Sequence, residues 1–372
     1  MTVSTITRPP SSLQEIGTKI KSLFQDWAAA TYDQGGYPAL EMRALADAGL
    51  LTSVLPGAPL DPDGANHAEL LDLLRMVGQG NLSVGRIFEG HVNALRLIGL
   101  YGTEDQQERW YADAREGHVF GVWNTEMGDG VRYHEETGGQ FRTAGSKTYC
   151  SGSTNVTRPI VTGQLVTHEH GRGGWQMAVL PLDRHEPEVD ESFWTTSGMR
   201  NSVSHKLDFT GIYLEASDLL GEPEAYNRQP HLSGGAVRFA AVQLGGAEAI
   251  LEQTRTFLQR LERTGDPYQR SRLGKMVIAV SSGKLWLQQA GSVLDTSADS
   301  DHIIFIANQV RTAIADYCHL CLDLSDQSVG SRGMLPPEPL ARLHADLRVY
   351  LRQPAPDAAL NAVGQYYLNG SS

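Results

Sequence analysis

From Gly121 to Gly163 the chain reads GVWNTEMGDGVRYHEETGGQFRTAGSKTYCSGSTNVTRPIVTG. Asn124-Thr125-Glu126 leads into a glycine-rich turn, and two short strand-like stretches follow, the second ending in Ser151 and Gly152. Residues of this kind suit a hairpin-rich piece of β structure. They also suit one wall of a flat cofactor site, with hydroxyls and backbone amides presented where strands end. A second pattern, Cys318-His319-Leu320-Cys321, could be half of a zinc site. Four ligands are needed, however, and no other close Cys/His pair completes it, because His168 and His170 lie in a glycine-rich loop. The two thiols fall within a helical pattern, where they pack well, so no metal site is expected.

The elements that must position these residues divide the chain in three. From Ser12 to about Gly117 the periodicity is helical, with Leu13, Ile16, Ile20, Leu23, Phe24 and Trp27 on one stripe. Gly49 ends one helix before a Pro/Gly-rich loop, and Thr103 precedes acidic first-turn residues as an N-cap. Between about Val119 and Gly221, alternating runs such as IVTGQLV and HKLDFTGIYL predict an antiparallel sheet or small barrel. From Leu232 onwards three helical stretches of roughly thirty residues, then a shorter pair, predict an antiparallel bundle. The expected class is α+β, mostly α, divided into an N-terminal helical domain (1–118), a middle β domain (119–224) and a C-terminal bundle (225–372).

With 372 residues the chain exceeds a single hydrophobic core, and its 41% hydrophobic and 20% charged residues are ordinary for a globular protein. A formal charge of −12 without a basic cluster argues against nucleic acid. No apolar run approaches a membrane span, and no secretion signal is visible. Three cysteines cannot build a disulfide framework, so a cytoplasmic location is expected.

The order helical domain, β domain, long-helix bundle resembles the acyl-CoA dehydrogenase superfamily, and five local stretches agree in order. They are ALEMRALADAGLLTSVLP, WNTEMGDG (with Met127 where the family has Pro), GSKTYCSG, SGMRNSVSHKLDFTGIYLEASDLLGEP and RFAAVQLGGAEAILEQT. The resemblance implies a flavin, FAD first, with FMN or a reduced flavin as alternatives. It places Asn124 and Thr125 at the edge of the flavin ring and Gly130 and Val131 at the pyrophosphate. Tyr149 would be the ring's flat neighbour, replacing a Trp, and Ser151 a hydroxyl donor, replacing a Thr. Gln327, Gly330 and Ser331 match a segment that reaches the cofactor's ADP half in a neighbouring subunit, which implies a homodimer or homotetramer. The Arg-x-x-Phe-Gly loop that meets the same moiety is missing; ERTGDPYQ is shorter and has no Phe.

A dehydrogenase of this family needs a carboxylate over the substrate's α-carbon. The two positions where the family places it correspond to Pro354 and about Val237; Asp357 and Glu338 are the nearest carboxylates and stand off register. The resemblance therefore implies an FAD-dependent oxidoreductase that lacks the usual glutamate. The alternative is the reduced-flavin monooxygenase branch, which takes its flavin from a separate reductase and would act on a small aromatic or heterocyclic substrate. In that branch His91 would cap the flavin pocket and orient substrate or activated oxygen; otherwise it is a core or helix-surface histidine. A third reading is a non-catalytic paralogue or partner subunit.

Overall fold

The computed structural model describes residues 13–31, 35–168 and 173–370. The N-terminal segment forms α1 (Leu13–Thr31), α2 (Ala39–Asp47), α3 (His67–Gly80), α4 (Leu82–Tyr101) and α5 (Glu104–Arg115). Local chemistry sets their ends. Gly49, at φ +72°, turns the chain after α2 in a region that other residues enter at a cost. Asn81 separates α3 from α4 and caps the latter: its side chain accepts from the amides of Ser83 (3.0 Å) and Val84 (3.4 Å). Thr103 and Gln106 form a capping box at the start of α5.

The middle segment holds β1 (Phe120–Trp123), β2 (Arg132–Glu135), β3 (Gln140–Ala144), β4 (Ser146–Cys150), β5 (Arg158–Val166), β6 (Gly174–Val179), β7 (Glu188–Asp190), β8 (His205–Asp208), β9 (Tyr213–Glu215) and β10 (Leu219–Leu220). One sheet runs β10-β6-β5-β2-β3-β9 with β1 also on β5, and a three-stranded sheet runs β4-β8-β7. Alternation alone predicts antiparallel pairing, yet β1 and β2 both run parallel to β5. Phe120 pairs with Arg158 and Arg132 with Gln164, so β1 and β2 lie one after the other along the same edge of β5. They behave as one strand interrupted between Asn124 and Val131, and the interruption pushes Asn124 and Thr125 out of the sheet.

The bundle consists of α6 (His231–Arg260), α7 (Pro267–Thr296), α8 (Ser300–Val329), α9 (Leu340–Tyr350) and α10 (Pro356–Leu368). Asp266 and Asp299 cap α7 and α8, and Pro267 stands at the first position of α7, where its missing N–H costs nothing. α6 crosses α3 so closely that a Cβ on Gly245 would overlap the Arg75 carbonyl, and one on Gly78 the Val242 carbonyl. One connected apolar core runs from Ile20 in α1 through the sheets to Tyr350 in α9. A cleft opens where β1 and β4 meet α4, the first turns of α6 and α8, and the turn between α9 and α10.

Candidate active site

The β side of this cleft is a neutral wall. Asn124 is fixed through its carboxamide oxygen, which accepts from Thr162 Oγ1 (2.7 Å) and Trp175 Nε1 (3.1 Å), leaving its amide nitrogen as the free donor. Thr125 follows at the edge, its carbonyl held by the Thr148 amide (2.9 Å). Tyr149 is 45% exposed and adopts φ +57°, a left-handed conformation that costs a non-glycine residue about 1–3 kcal/mol. Phe193 and Trp194 meet its ring edge-on, with centroids 5.2 and 6.1 Å away. Ser151 belongs to a chain of hydroxyls absent from the sequence expectations: Ser151 to Ser204 (2.9 Å), Ser204 to Ser202 (2.8 Å), and Ser202 donating to the Met199 carbonyl (2.8 Å). Asn124, Thr125, Tyr149, Ser151, Trp194, Ser202 and Ser204 all line the cavity.

Other expected site residues lie elsewhere. His91 does not line the cavity but is fully buried between α4, the Leu51 turn and β1. Its Nε2 bonds the Leu51 carbonyl (2.6 Å) and its Nδ1 accepts from the Phe120 amide (3.0 Å), so both nitrogens are used. Burial pushes its pKa down to about 4. The flavin-pocket role is thereby replaced by a core role. Gly130 and Val131 are also absent from the cavity lining. The Glu126 carboxylate, bonded to Lys147 (2.6 Å), covers the open side of Gly130, and Val131 is packed in the core. A negative group where a pyrophosphate is expected argues against that placement.

Gln327, Gly330 and Ser331 sit exposed at the far end of α8, while Ile303, Asn308 and Arg311 line the cleft near its start. Sixteen residues of helix separate Arg311 from Gln327, about 24 Å. Both ends therefore cannot reach one ligand within a protomer. Cys318 and Cys321 are buried inside α8. Among the described residues, Asp113, Glu116 and His118 cluster most like metal ligands, but Arg158 binds Asp113 and Thr157 binds His118 (2.9 Å).

The helical side of the cleft is charged. Arg86 donates to both Glu89 oxygens (2.9 and 3.1 Å), Asn93 Nδ2 donates to Glu89 (3.0 Å), and Arg238 Nε donates to Asn93 Oδ1. Burial raises the Glu89 carboxyl above its usual range, opposed by Arg86 and Arg238. His67, at the start of α3, is held by Asp295 through Nδ1 (2.5 Å), which leaves Nε2 free. Burial pushes His67 down, against the pull of Asp295. None of these residues was singled out from the sequence. A signal exists: Arg86, Glu89, Asn93 and Arg96 recur at three- and four-residue spacing on the otherwise apolar α4.

At the two base positions, Pro354 lines the cavity and accepts from Arg311 through its carbonyl (2.7 Å), whereas Val237 is buried and Glu338 is bound by Arg260. Among the described residues Glu89 is the only carboxylate that lines the cleft. The cavity holds about 1450 Å³, more than the roughly 300–1,000 Å³ of an ordinary small-molecule site. Its exposed flat Tyr149, hydroxyl row and free Asn124 amide fit a conjugated ring with polar edges, such as a flavin, with space beside it for a second molecule.

The family model for the acyl-CoA dehydrogenase C-terminal domain matches residues 228–351. The probable FMNH2-dependent monooxygenase SfnC of Pseudomonas putida is 23% identical over 327 residues, covering 83% of this chain and 80% of its own. A dibenzothiophene monooxygenase of Rhodococcus erythropolis is 23% identical over 386 residues, covering 94% and 92%. The crystal structure of FMN-bound TdsC from Paenibacillus sp. A11-2 superposes with a TM-score of 0.81 at 20% identity, covering 96% of this chain and 97% of that one. No described helix is long and apolar enough to cross a membrane. Segment order, cleft and solved structures agree: residues 228–351 match the acyl-CoA dehydrogenase C-terminal domain, and the chain as a whole has the acyl-CoA dehydrogenase fold.

Proposed function

We propose that this chain is a reduced-flavin-dependent monooxygenase that accepts its flavin, FMN in preference to FAD, from a separate reductase. The observation that carries this is the acid–base content of the cleft: Pro354, the position the resemblance assigns to a dehydrogenase's base, lines it, and its one carboxylate among the described residues, Glu89, is committed to Arg86 and Asn93. Bound reduced flavin would supply two electrons, so that O₂ gives one oxygen atom to the substrate and the other leaves as water. The chain's residues bind, orient and handle protons. Tyr149 stacks beside the ring. Each hydroxyl has one proton, so a row ending on the Met199 carbonyl makes each serine donate toward it and leaves Ser151 offering lone pairs. Ser151 therefore suits an N–H of a reduced ring. His67 Nε2, oriented by Asp295, can accept or return a proton in the cavity. The covered Gly130 and the missing Phe loop favour a mononucleotide.

Anaerobic mixing of flavin-loaded protein with saturated acyl-CoAs should leave the flavin absorbance unchanged. FMNH2 with O₂ and a heteroaromatic such as dibenzothiophene or indole should give oxygenated product, and His67→Gln should lower that turnover about 10²-fold with loss of its acidic pH limb. Rapid anaerobic bleaching by an acyl-CoA would overturn the monooxygenase assignment.

The assembly we propose is a homodimer or homotetramer. Exposed apolar residues on α7, Val277 (49%), Ile278 (67%) and Leu285 (66%), support it, as does the distance of Gln327–Ser331 from its own cleft. A monomer by light scattering at micromolar concentration, with flavin bound, would refute it.

A further inference from the structure

The charges around the cleft do not balance. Six arginines line it: Arg86, Arg96, Arg238, Arg311, Arg348 and, just past the end of α9, Arg352. Arg86 is answered by Glu89, Arg96 by Asp63 (2.9 Å) and Arg348 by Asp326 (2.8 Å). Among the described residues Arg238, Arg311 and Arg352 have no carboxylate of their own, and the first two stand on the helices that wall the cleft. Arg238 spends Nε on the neutral Asn93 amide, and Arg311 donates to the Pro354 carbonyl while lying 5.2 Å over the Phe239 ring.

Arg238 is the costlier of the two. It is 8% exposed, and its two terminal nitrogens find no hydrogen-bond acceptor among the described residues. Glu89 acts on it through space, but its oxygens are taken by Arg86 and Asn93. Most of the side chain is buried while the fork end opens to the cavity, so a ligand that enters finds charged donors no protein acceptor occupies. The positive field extends to its neighbours: after burial, Arg238 and Arg96 both help to lower His67 and His231. The Tyr350 hydroxyl, in the same lining, is buried without a partner. In a chain of net charge −12 this corner is a local feature, not an overall bias.

We propose that the cleft selects a substrate bearing an oxyanion of the carboxylate or sulfonate class, bound in a fork by Arg238 and assisted by Arg311. Leu97, Leu100, Phe239, Ile303 and Ile304 line the same cavity and receive the apolar part. A planar guanidinium matches two oxygens of one anionic group, which fixes orientation as well as charge. The inference rests on the monooxygenase reading for its chemistry but not for its binding.

The test is equilibrium binding by calorimetry to the full chain, with and without FMN, using hexane-1-sulfonate, hexanoate and hexan-1-ol as probes. The two anions should bind about tenfold or more tighter than the alcohol. Arg238→Met should abolish that preference and leave the alcohol's affinity unchanged, while Arg238→Lys should retain part of it. Arg311→Gln, on a separate helix, should reduce it in a chain that keeps the Arg238 network. Equal affinity for alcohol and anions in the wild type, or an undiminished preference in both Arg238→Met and Arg311→Gln, would overturn the proposal. So would an Arg238→Met variant that binds riboflavin normally but FMN weakly, since the oxyanion would then be the flavin phosphate. Anion preference without oxygenated product would sink only the monooxygenase reading; oxygenation with no anion preference would sink only this one.

Discussion

The two sides of the cleft are built on opposite principles. The β wall is neutral, partly exposed and made of residues that leave a strand edge: Asn124, Thr125, Tyr149 and Ser151. The helical side is charged, with the buried Glu89 and Arg238 and the half-buried Arg86 and Asn93 tied into one network. A neutral surface of aromatic and hydroxyl groups can hold a conjugated ring at modest cost and release it. A buried ionic network is rigid, because removing one member strands the others in low dielectric. Cofactor exchange with a reductase suits the first, and discrimination among substrates suits the second.

The contrast between the two sides is greatest at Glu89. Glu89→Leu should destabilise the protein by about 3–5 kcal/mol in urea unfolding, since the half-buried Arg86 and the buried Arg238 would lose the carboxylate that answers them. A loss below about 1 kcal/mol would show that the network relaxes to water and is not rigid.

His91 lies behind the cleft and separates a structural histidine from a working one. Its folded pKa of about 4 is below the unfolded value near 6.5. Above pH 6.5 it is neutral in both states and contributes no pH dependence. As pH falls from 6.5 to 4 the unfolded chain takes up a proton that the native site refuses, and about 3 kcal/mol of stability is lost. His91→Gln should flatten that part of the stability–pH curve and leave flavin affinity unchanged. An unaltered curve would remove His91 from the acid response.

On the β wall the effects should be smaller and confined to binding. Thr125→Ala with Ser151→Ala removes two hydrogen bonds of roughly 0.5–1.5 kcal/mol each, so flavin should bind on the order of tenfold more weakly, read by fluorescence titration. Unchanged affinity would place the flavin elsewhere. Ser202→Ala cuts the hydroxyl row from the Met199 carbonyl and frees Ser204 and Ser151 to reverse their protons. The ratio of reduced to oxidised flavin affinity should then fall by about two- to fivefold, within the value of one hydrogen bond; a constant ratio would refute the donor direction assigned to Ser151.

The segment order and two helix ends were legible because they rest on local physics: the apolar stripe on α1, Gly49 in a left-handed turn and the Thr103 cap of α5. The segment carrying Asn124, Thr125, Tyr149 and Ser151 was legible through its family resemblance, and its turn glycines marked the strand edges. Local chemistry could not reveal that β1 and β2 share one edge of β5, because strand direction depends on partners 30 or more residues away. Nor could it separate His91 from His67. Both are helix histidines in apolar sequence; only packing gives one the Leu51 carbonyl and Phe120 amide and the other Asp295, 228 residues distant. The charged network is the extreme case. Arg86, Glu89 and Asn93 read as a polar helix face, which ordinarily meets water. Only when α4 packs against α6 and brings Arg238 to Asn93 does that face become largely covered and short of one negative charge. Sequence determines which groups carry charge, and the fold decides which of those charges are left without water or a partner.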